Sequence, residues 1–251
     1  MIDELLRVNI TEKKPWYGIA LGFIFATLGI VFAFLIFRTE PSFPAIFLTA
    51  LSSAPLIVKV IKSEREKKNI IKRHEKLIEI YFYLFFGMTI AFALFSAFLP
   101  ADISGSIFSE QISKFSAGYF SRPTAMFFEI IINNLGLVLF FFLLSLFYGS
   151  GSMFLLAWNS SILGVMWGNI IKTSLSFMSP IMFVKNVFFI FPFLLPEVEA
   201  YFLASIAGAI VYVNIENKKK RETVMNDSLL FLGISIVLIL VAGAVEAILI
   251  A

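Results

Sequence analysis

The chain of 251 residues contains no cysteine and a single histidine, His74. The lack of cysteine excludes disulfide bonds and thiol nucleophiles, and a single histidine excludes the imidazole clusters that hold most zinc ions. Charged residues are also scarce, at 15% of the sequence. We therefore expect no catalytic residues, no metal site and no cofactor.

Motifs of enzyme active sites are missing as well. Gly149-Ser150-Gly151 lacks the lysine of a phosphate-binding glycine loop. The apolar segments contain no serine–histidine pair, no paired aspartates and no metal-binding histidine motif, so an intramembrane protease is not expected. His74 lies in a charged run without a second histidine or converging carboxylates, and we expect it to be solvated. The sequence predicts a protein that is not an enzyme.

The chain does contain several long apolar runs. Hydrophobic residues make up 59% of the sequence, Phe alone accounts for 31 residues, and the mean hydropathy is +0.92. Because about 20 apolar residues cross a hydrocarbon core of about 30 Å as a helix, we predict an all-α polytopic membrane protein of about seven spans. The predicted spans are Trp16–Phe37, Ala45–Ile61, Leu77–Leu99, Phe127–Tyr148, Ser152–Ile171, Pro196–Val213 and Ser228–Ile250.

The basic residues predict the orientation of these spans. Fifteen of the 20 Lys and Arg residues fall on one side if the spans alternate, and cytoplasmic segments carry such an excess. We therefore expect a protein of the cell membrane with a cytoplasmic N-terminus and an external C-terminus. The pI of about 9.0 reflects these cytoplasmic segments, so we expect contacts with membrane lipids and no nucleic-acid partner.

The same pattern divides the chain into three parts. Residues 1–61 form an N-terminal transmembrane hairpin, residues 62–76 a charged cytoplasmic helix or linker, and residues 77–251 a five-span core. The external loop 100–126 has apolar residues at helical spacing, which predicts a short amphipathic helix on the bilayer surface. Segment 177–195 is nearly all apolar but contains Pro180, Lys185 and Pro192. If it crossed, the basic cluster after span six would move outside, so we predict a broken re-entrant or interfacial segment.

Polar residues within the spans are the candidate functional residues, since ionisable groups in the membrane cost about 2.5–3.5 kcal/mol on insertion scales. We predict that one intramembrane polar cluster forms from Asn133, Asn134, Asn159, Glu197 and Glu246. Glu129, Asn169 and Glu199 are further polar positions. Helix capping and snorkelling are the alternative for the glutamates, and interhelical hydrogen bonding is the alternative for the asparagines.

Small residues at four-residue spacing predict close helix packing. The packing candidates are Gly18, Gly22, Gly149, Gly151, Gly164, Gly168, Gly208 and Gly243. Most such stripes are expected to pack within the chain. Gly18 and Gly22, on the first helix, are the best candidates for a homodimer contact.

Three separated segments resemble the stage II sporulation protein M family. The first is NNLGLVLFFFLLSLFYGSGSMFLLAWNSSILG, which begins at Asn133; the second runs from Pro192 through Glu197 to Ala200; the third is Gly243-Ala244-Val245-Glu246-Ala247. The resemblance covers about residues 77–251. Phe193 and Leu194 stand where the family usually has His and Gly. Ser160 stands where the family usually has an Asn-Gly pair. The composition, rich in Ile, Lys and Phe and free of Cys, is typical of an archaeal or thermophilic source.

This resemblance implies a membrane scaffold, because members of the family in spore-forming bacteria anchor peptidoglycan-degrading partners during engulfment. We therefore expect a non-enzymatic scaffold with an envelope protein partner on the external face, formed by residues 100–126 and 177–199. The alternative is a small transporter or channel, in which the polar cluster lines an outward-facing cavity for an ion or small solute.

Overall fold

The computed structural model describes residues 14–63, 70–116, 126–177, 180–214 and 221–250. Within these ranges all regular secondary structure is α-helical, which confirms the all-α class. The described helices are α1 (Tyr17–Ile36), α2 (Ser42–Ser63), α3 (Ile70–Phe98), α4 (Ala101–Ile107), α5 (Ser109–Ser116), α6 (Met126–Tyr148), α7 (Met153–Phe177), α8 (Pro180–Asn214) and α9 (Arg221–Ile250).

Seven of these helices are long and apolar enough to cross a membrane, namely α1, α2, α3, α6, α7, α8 and α9. Each of the seven predicted spans lies on one of them, so the predicted number of spans is confirmed. Three helices begin well before the predicted span: α3 begins at Ile70 rather than Leu77, α8 at Pro180 rather than Pro196, and α9 at Arg221 rather than Ser228. Hydropathy marks where a helix lies in lipid, whereas backbone hydrogen bonds continue the helix into water.

Helix α8 shows no break over residues 180–195 of the predicted segment, and an interfacial placement of these residues stays a prediction. From Pro180 onward the chain is one continuous helix of 35 residues that runs into the sixth span. Pro180 occupies the first helical position, where its missing N–H costs nothing. Pro192 and Pro196 each remove one backbone hydrogen bond, a loss that membrane helices tolerate. Residues 178 and 179 of the predicted segment lie outside the described residues.

The chain divides into two compact units. The first unit contains residues up to Pro55, Ile80–Tyr119 and Met153–Phe189, and the second contains Leu56–Glu79, Phe120–Ser152 and Ile190–Ala251. The predicted division into hairpin 1–61, segment 62–76 and core 77–251 stays a prediction. Within the first unit, α1 packs on α3.

Glycines bring α1 and α3 into close contact. A Cβ atom on Gly22 would overlap the carbonyl oxygen of Leu84, and one on Gly87 of α3 would overlap the carbonyl oxygen of Ile19. A Cβ on Gly18 would lie 2.8 Å from the Cβ of Tyr83. The stripe considered for a homodimer is therefore occupied by α3 of the same chain.

Helix α7 packs on another face of α3 in the same way. A Cβ on Gly164 would lie 2.6 Å from the Cβ of Phe92, and a Cβ on Gly168 would lie 2.6 Å from the carbonyl oxygen of Ala93. Phe92 is fully buried. Helix α3 is thus the central helix of the first unit, since neighbours approach it at backbone distance from two sides.

The short helices α4 and α5 correct the expectation of a helix on the bilayer surface. Ile107 and Phe108 are 2% and 0% exposed, and the Phe108 ring lies against the ring of Phe92 of α3, with 6.2 Å between centroids. The apolar side of this segment therefore packs against the protein. An amphipathic pattern requires an apolar neighbour but does not say whether that neighbour is lipid or protein.

In the second unit, α6 packs against α9 and also against α8. A Cβ on Gly208 of α8 would lie 2.8 Å from the Cβ of Ser145 and 2.7 Å from the backbone nitrogen of Leu146. A Cβ on Gly243 of α9 would lie 3.1 Å from the Cγ1 of Ile131. Both glycines therefore sit where a neighbouring helix needs their small size.

Candidate functional site

A polar network joins α6 and α8 in the second unit. The hydroxyl oxygen of Tyr201 lies 2.6 Å from Glu197 Oε1 and 3.2 Å from Asn134 Oδ1. Asn133 Nδ2 donates to the same Asn134 oxygen at 3.1 Å. Asn134 and Tyr201 are 5% and 3% exposed. Because each isolated polar group would be costly in hydrocarbon, these bonds favour the association of the two helices.

The spacing of Glu197 and Tyr201 along α8 brings both side chains into the network. Glu197 and Tyr201 are four residues apart and share one face of the helix, which they present to Asn134 of α6. The aromatic ring of Phe141, two turns after Asn134, packs against the ring of Tyr201. The polar end of Tyr201 thus meets the amide while its apolar body packs on α6.

Glu246 of α9 is a second carboxyl group within the spans of the second unit. It is half-buried, as is Glu197. Four of the five predicted cluster residues therefore belong to one unit: Asn133, Asn134, Glu197 and Glu246. Asn159 belongs to the first unit, where its amide nitrogen donates to the Leu155 carbonyl oxygen of its own helix at 2.9 Å.

The remaining polar positions differ in exposure. Glu129 and Glu199 are exposed, and Asn169 is half-buried. Asn133 is also exposed, although it bonds to Asn134. The two adjacent amides therefore face different surroundings, as the rotation of about 100° per residue requires.

The chemistry available to this site is acceptance of hydrogen bonds or positive charge. The carboxyl groups of Glu197 and Glu246 and the amide oxygen of Asn134 are all acceptors, and the Tyr201 hydroxyl has one proton to donate. Among the described residues, no three His, Asp or Glu side chains come together as ligands for a metal ion. The arrangement suits interhelical bonding, and a proton or small cation is the ligand class that its carboxyl groups would accept.

A second polar network lies in the first unit and was not predicted. Gln111 of α5 accepts a hydrogen bond from Ser42 Oγ of α2 at 2.8 Å and donates to Ser161 Oγ of α7 at 3.0 Å. Gln111 is 1% exposed, and Ser42 and Ser161 are buried. One side chain thus joins a short helix to two spans. The signal in the sequence is the helical spacing that places Gln111 on the same side of the segment as Ile107 and Phe108.

His74 corrects the expectation of a solvated side chain. It is 4% exposed, its Nε2 lies 3.1 Å from Asp227 Oδ2, and its ring lies edge-on to Phe231. Arg73 also pairs with Asp227. The physical reason is the early start of α9, which places Asp227 in a helix beside α3 rather than in a loop. The ion pair therefore joins α3 to α9.

A comparison with known families decides the identity of the chain at family level. A family model described as SpoIIM, Stage II sporulation protein M, matches residues 22–249. The chain belongs to the stage II sporulation protein M family. No curated protein and no solved structure gives a match. The family match begins within α1 and so includes most of hairpin 1–61, which the resemblance over 77–251 left out.

The glycines of the stage II sporulation protein M resemblance form the connection between α6 and α7. Gly149 has a positive φ of 66°, which only glycine adopts without strain, and its N–H donates to the Ser145 carbonyl oxygen at 2.8 Å. A Cβ on Gly151 would lie 2.8 Å from the carbonyl oxygen of Leu144. Ser145 and Ser152 are joined across this turn by a bond of 2.7 Å between hydroxyls. The turn thus needs glycine for both conformation and space.

Proposed function

We propose that this protein is a non-enzymatic scaffold of the cell membrane, which anchors an envelope- or membrane-remodelling partner on its external side. Membership of the stage II sporulation protein M family supports this proposal. The structural observation that carries it is the bonding of Gln111, because a scaffold must hold its partner surface in a fixed position.

Helices α4 and α5 form a short platform on the side predicted to be external. Gln111 joins this platform to α2 and α7 by hydrogen bonds, and Ile107 and Phe108 are buried, so the platform is held in place within the first unit. The opposite side exposes polar residues, namely Asp102, Ser109, Glu110 and Ser113. Carboxylates on a fixed surface favour a partner with basic or hydrogen-bond-donating groups. Residues 117–125 and 178–179 of the predicted partner surface lie outside the described residues.

A photo-crosslinking amino acid at Ser113 tests the proposal in native membranes. We expect a discrete crosslink to an envelope protein, identified by mass spectrometry, and none from the matched exposed position Glu222 on α9. Gln111→Leu should weaken the crosslink several-fold while the purified variant still elutes as folded protein, because the platform loses its bonds to α2 and α7. Equal crosslinking at both positions, or no effect of Gln111→Leu, would contradict the proposal.

A small transporter or channel is the second candidate, and the two half-buried carboxyl groups of Glu197 and Glu246 within the spans of the second unit favour it. Ionisable residues inside membrane spans are typical of ion and proton pathways. Against it stands the position of the Tyr201 hydroxyl between Glu197 and Asn134, which a structural role also explains. Ion flux through sealed liposomes that depends on Glu197 distinguishes the two functions.

A further inference from the structure

One face of α6 is uncovered and carries polar and small residues together. Only 22% of the residues in its membrane-spanning window are buried, the smallest share of the seven spans. The uncovered face contains Glu129, Ile132, Asn133, Gly136, Leu139 and Phe140. A Cβ on Gly136 would meet nothing within 4 Å among the residues that the structure describes. This is the opposite of Gly22, Gly87, Gly164 and Gly208, whose missing side chains make room for a neighbouring helix.

Asn133 makes this face unsuited to lipid. The residue lies five positions into the span Phe128–Tyr148, or about 7 Å along the axis at about 1.5 Å per residue. Its Nδ2 donates one hydrogen bond, to Asn134. The residue is exposed, and its amide oxygen and second N–H make no hydrogen bond to another described residue. Acyl chains would offer these groups neither donor nor acceptor. Polar side chains within spans normally face protein rather than lipid. We therefore expect a partner helix to cover this face of α6 at the depth of Asn133.

We propose that a second copy of this chain covers this face, so that the protein is a homodimer in which α6 packs on α6. Copies inserted with the same orientation are related by a two-fold axis along the membrane normal, which places each residue near its own counterpart. An asparagine amide is self-complementary, because it both donates and accepts hydrogen bonds. Two Asn133 side chains therefore satisfy each other without a foreign partner.

The positions of Gly136 and Glu129 fit this geometry. Gly136 lies eight residues into the span, near its middle, and a glycine at the crossing point allows two backbones to approach closely. Glu129 lies two turns before Gly136, near the N-terminal end of α6. At this end two crossed helices diverge, and water among the headgroups solvates the carboxylate. The dimer contact thus lies on α6 rather than on Gly18 and Gly22, which α3 occupies.

Disulfide crosslinking tests the interface directly, because the chain contains no native cysteine. Single cysteines at Asn133, Gly136 and Phe140 should crosslink two chains in membranes under mild oxidation. A cysteine at Leu229, a 61% exposed position on the uncovered face of α9, is the matched control and should not crosslink. Crosslinking at Leu229 as strong as at Gly136 would show random collision and overturn the proposal.

Gly136→Leu separates dimerisation from folding. Because a Cβ at Gly136 would meet no other described residue within 4 Å, the variant should keep the melting temperature of the monomer while the dimer dissociation constant rises about tenfold or more. Gly233→Leu, on an equally open position of α9, should leave the dimer intact. A monomeric wild-type protein in nanodiscs would overturn the proposal, and crosslinks from Gly136 to a different protein in native membranes would replace the second copy with a foreign helix.

Discussion

The ring of Tyr201 on α8 lies parallel to the ring of Phe141 on α6, with centroids 4.9 Å apart and planes 4° apart. Both residues are buried. This stack fixes the Tyr201 ring, so its hydroxyl is held between Glu197 and Asn134 without a further loss of side-chain freedom. Apolar packing and polar bonding at this point thus come from one side chain, and substitutions can separate them.

Tyr201→Phe should remove the polar contribution alone. The ring stack remains, whereas the hydrogen bonds to Glu197 and Asn134 are lost. We expect a decrease of about 1 kcal/mol in the free energy of unfolding, measured by denaturant titration in micelles, since interhelical hydrogen bonds in membranes contribute about 0.6 to 1.7 kcal/mol. Tyr148→Phe, at a 70% exposed ring, is the control. Equal stability of the two variants would show that the network does not hold α6 to α8.

The backbone contact between α1 and α3 predicts strong position dependence for glycine substitutions. Gly22→Ala places a methyl group on the carbonyl oxygen of Leu84 and should destabilise the protein by about 1–3 kcal/mol through overpacking. Gly233→Ala fills open space and should be neutral or stabilising by up to about 1 kcal/mol, because alanine favours helix. Comparable melting temperatures for the two variants would contradict the described packing.

The spans could be predicted from the sequence because their length and composition follow directly from the thickness of the bilayer. The ends of α3 and α9 could not, because polar residues such as Arg73 and Asp227 continue a helix outside the apolar run. The His74–Asp227 contact was missed for this reason. The predicted break within segment 177–195 was also not observed over residues 180–195, since a proline removes one hydrogen bond and does not by itself end a membrane helix.

The candidate site was partly predictable. Asn134 and Glu197 stood out because polar groups inside a span are costly. Tyr201 was missed because tyrosine is common in membrane helices, although its spacing of four residues from Glu197 was visible in the sequence. The glycine spacing indicated close approach, but the identity of the neighbouring helix depends on tertiary structure. Gly18 and Gly22 therefore could not be assigned to α3 from the sequence.

The ion pair between α3 and α9 predicts a role for Asp227 in stability. Asp227→Asn keeps the shape of the side chain but removes the charge that pairs with Arg73 and His74. We expect a loss of about 1–3 kcal/mol in the free energy of unfolding, since Arg73 and His74 are left with a weaker partner. Glu222→Gln, at an exposed position one and a half turns earlier, should have no measurable effect. A stable Asp227→Asn variant would mean that the pair is dispensable.

The predicted orientation can be measured by cysteine labelling. Thr39, Ser113 and Glu222 are exposed, and single cysteines at these positions are the first thiols in the chain. A membrane-impermeant maleimide added to intact cells should label positions 39 and 113 and should label position 222 only after permeabilisation. Labelling of position 222 in intact cells would reverse the assignment of the basic segments to the cytoplasm.

The central claim is that the polar residues within the membrane hold helices together and do not conduct a solute. Ion flux through sealed liposomes that contain the purified protein tests this claim most directly. We predict that wild-type protein, Glu197→Gln and Glu246→Gln all show the proton and cation leak of protein-free liposomes. Flux that exceeds this leak in the wild type and is abolished by Glu197→Gln or Glu246→Gln would contradict the claim and assign the carboxyl groups to a transport pathway.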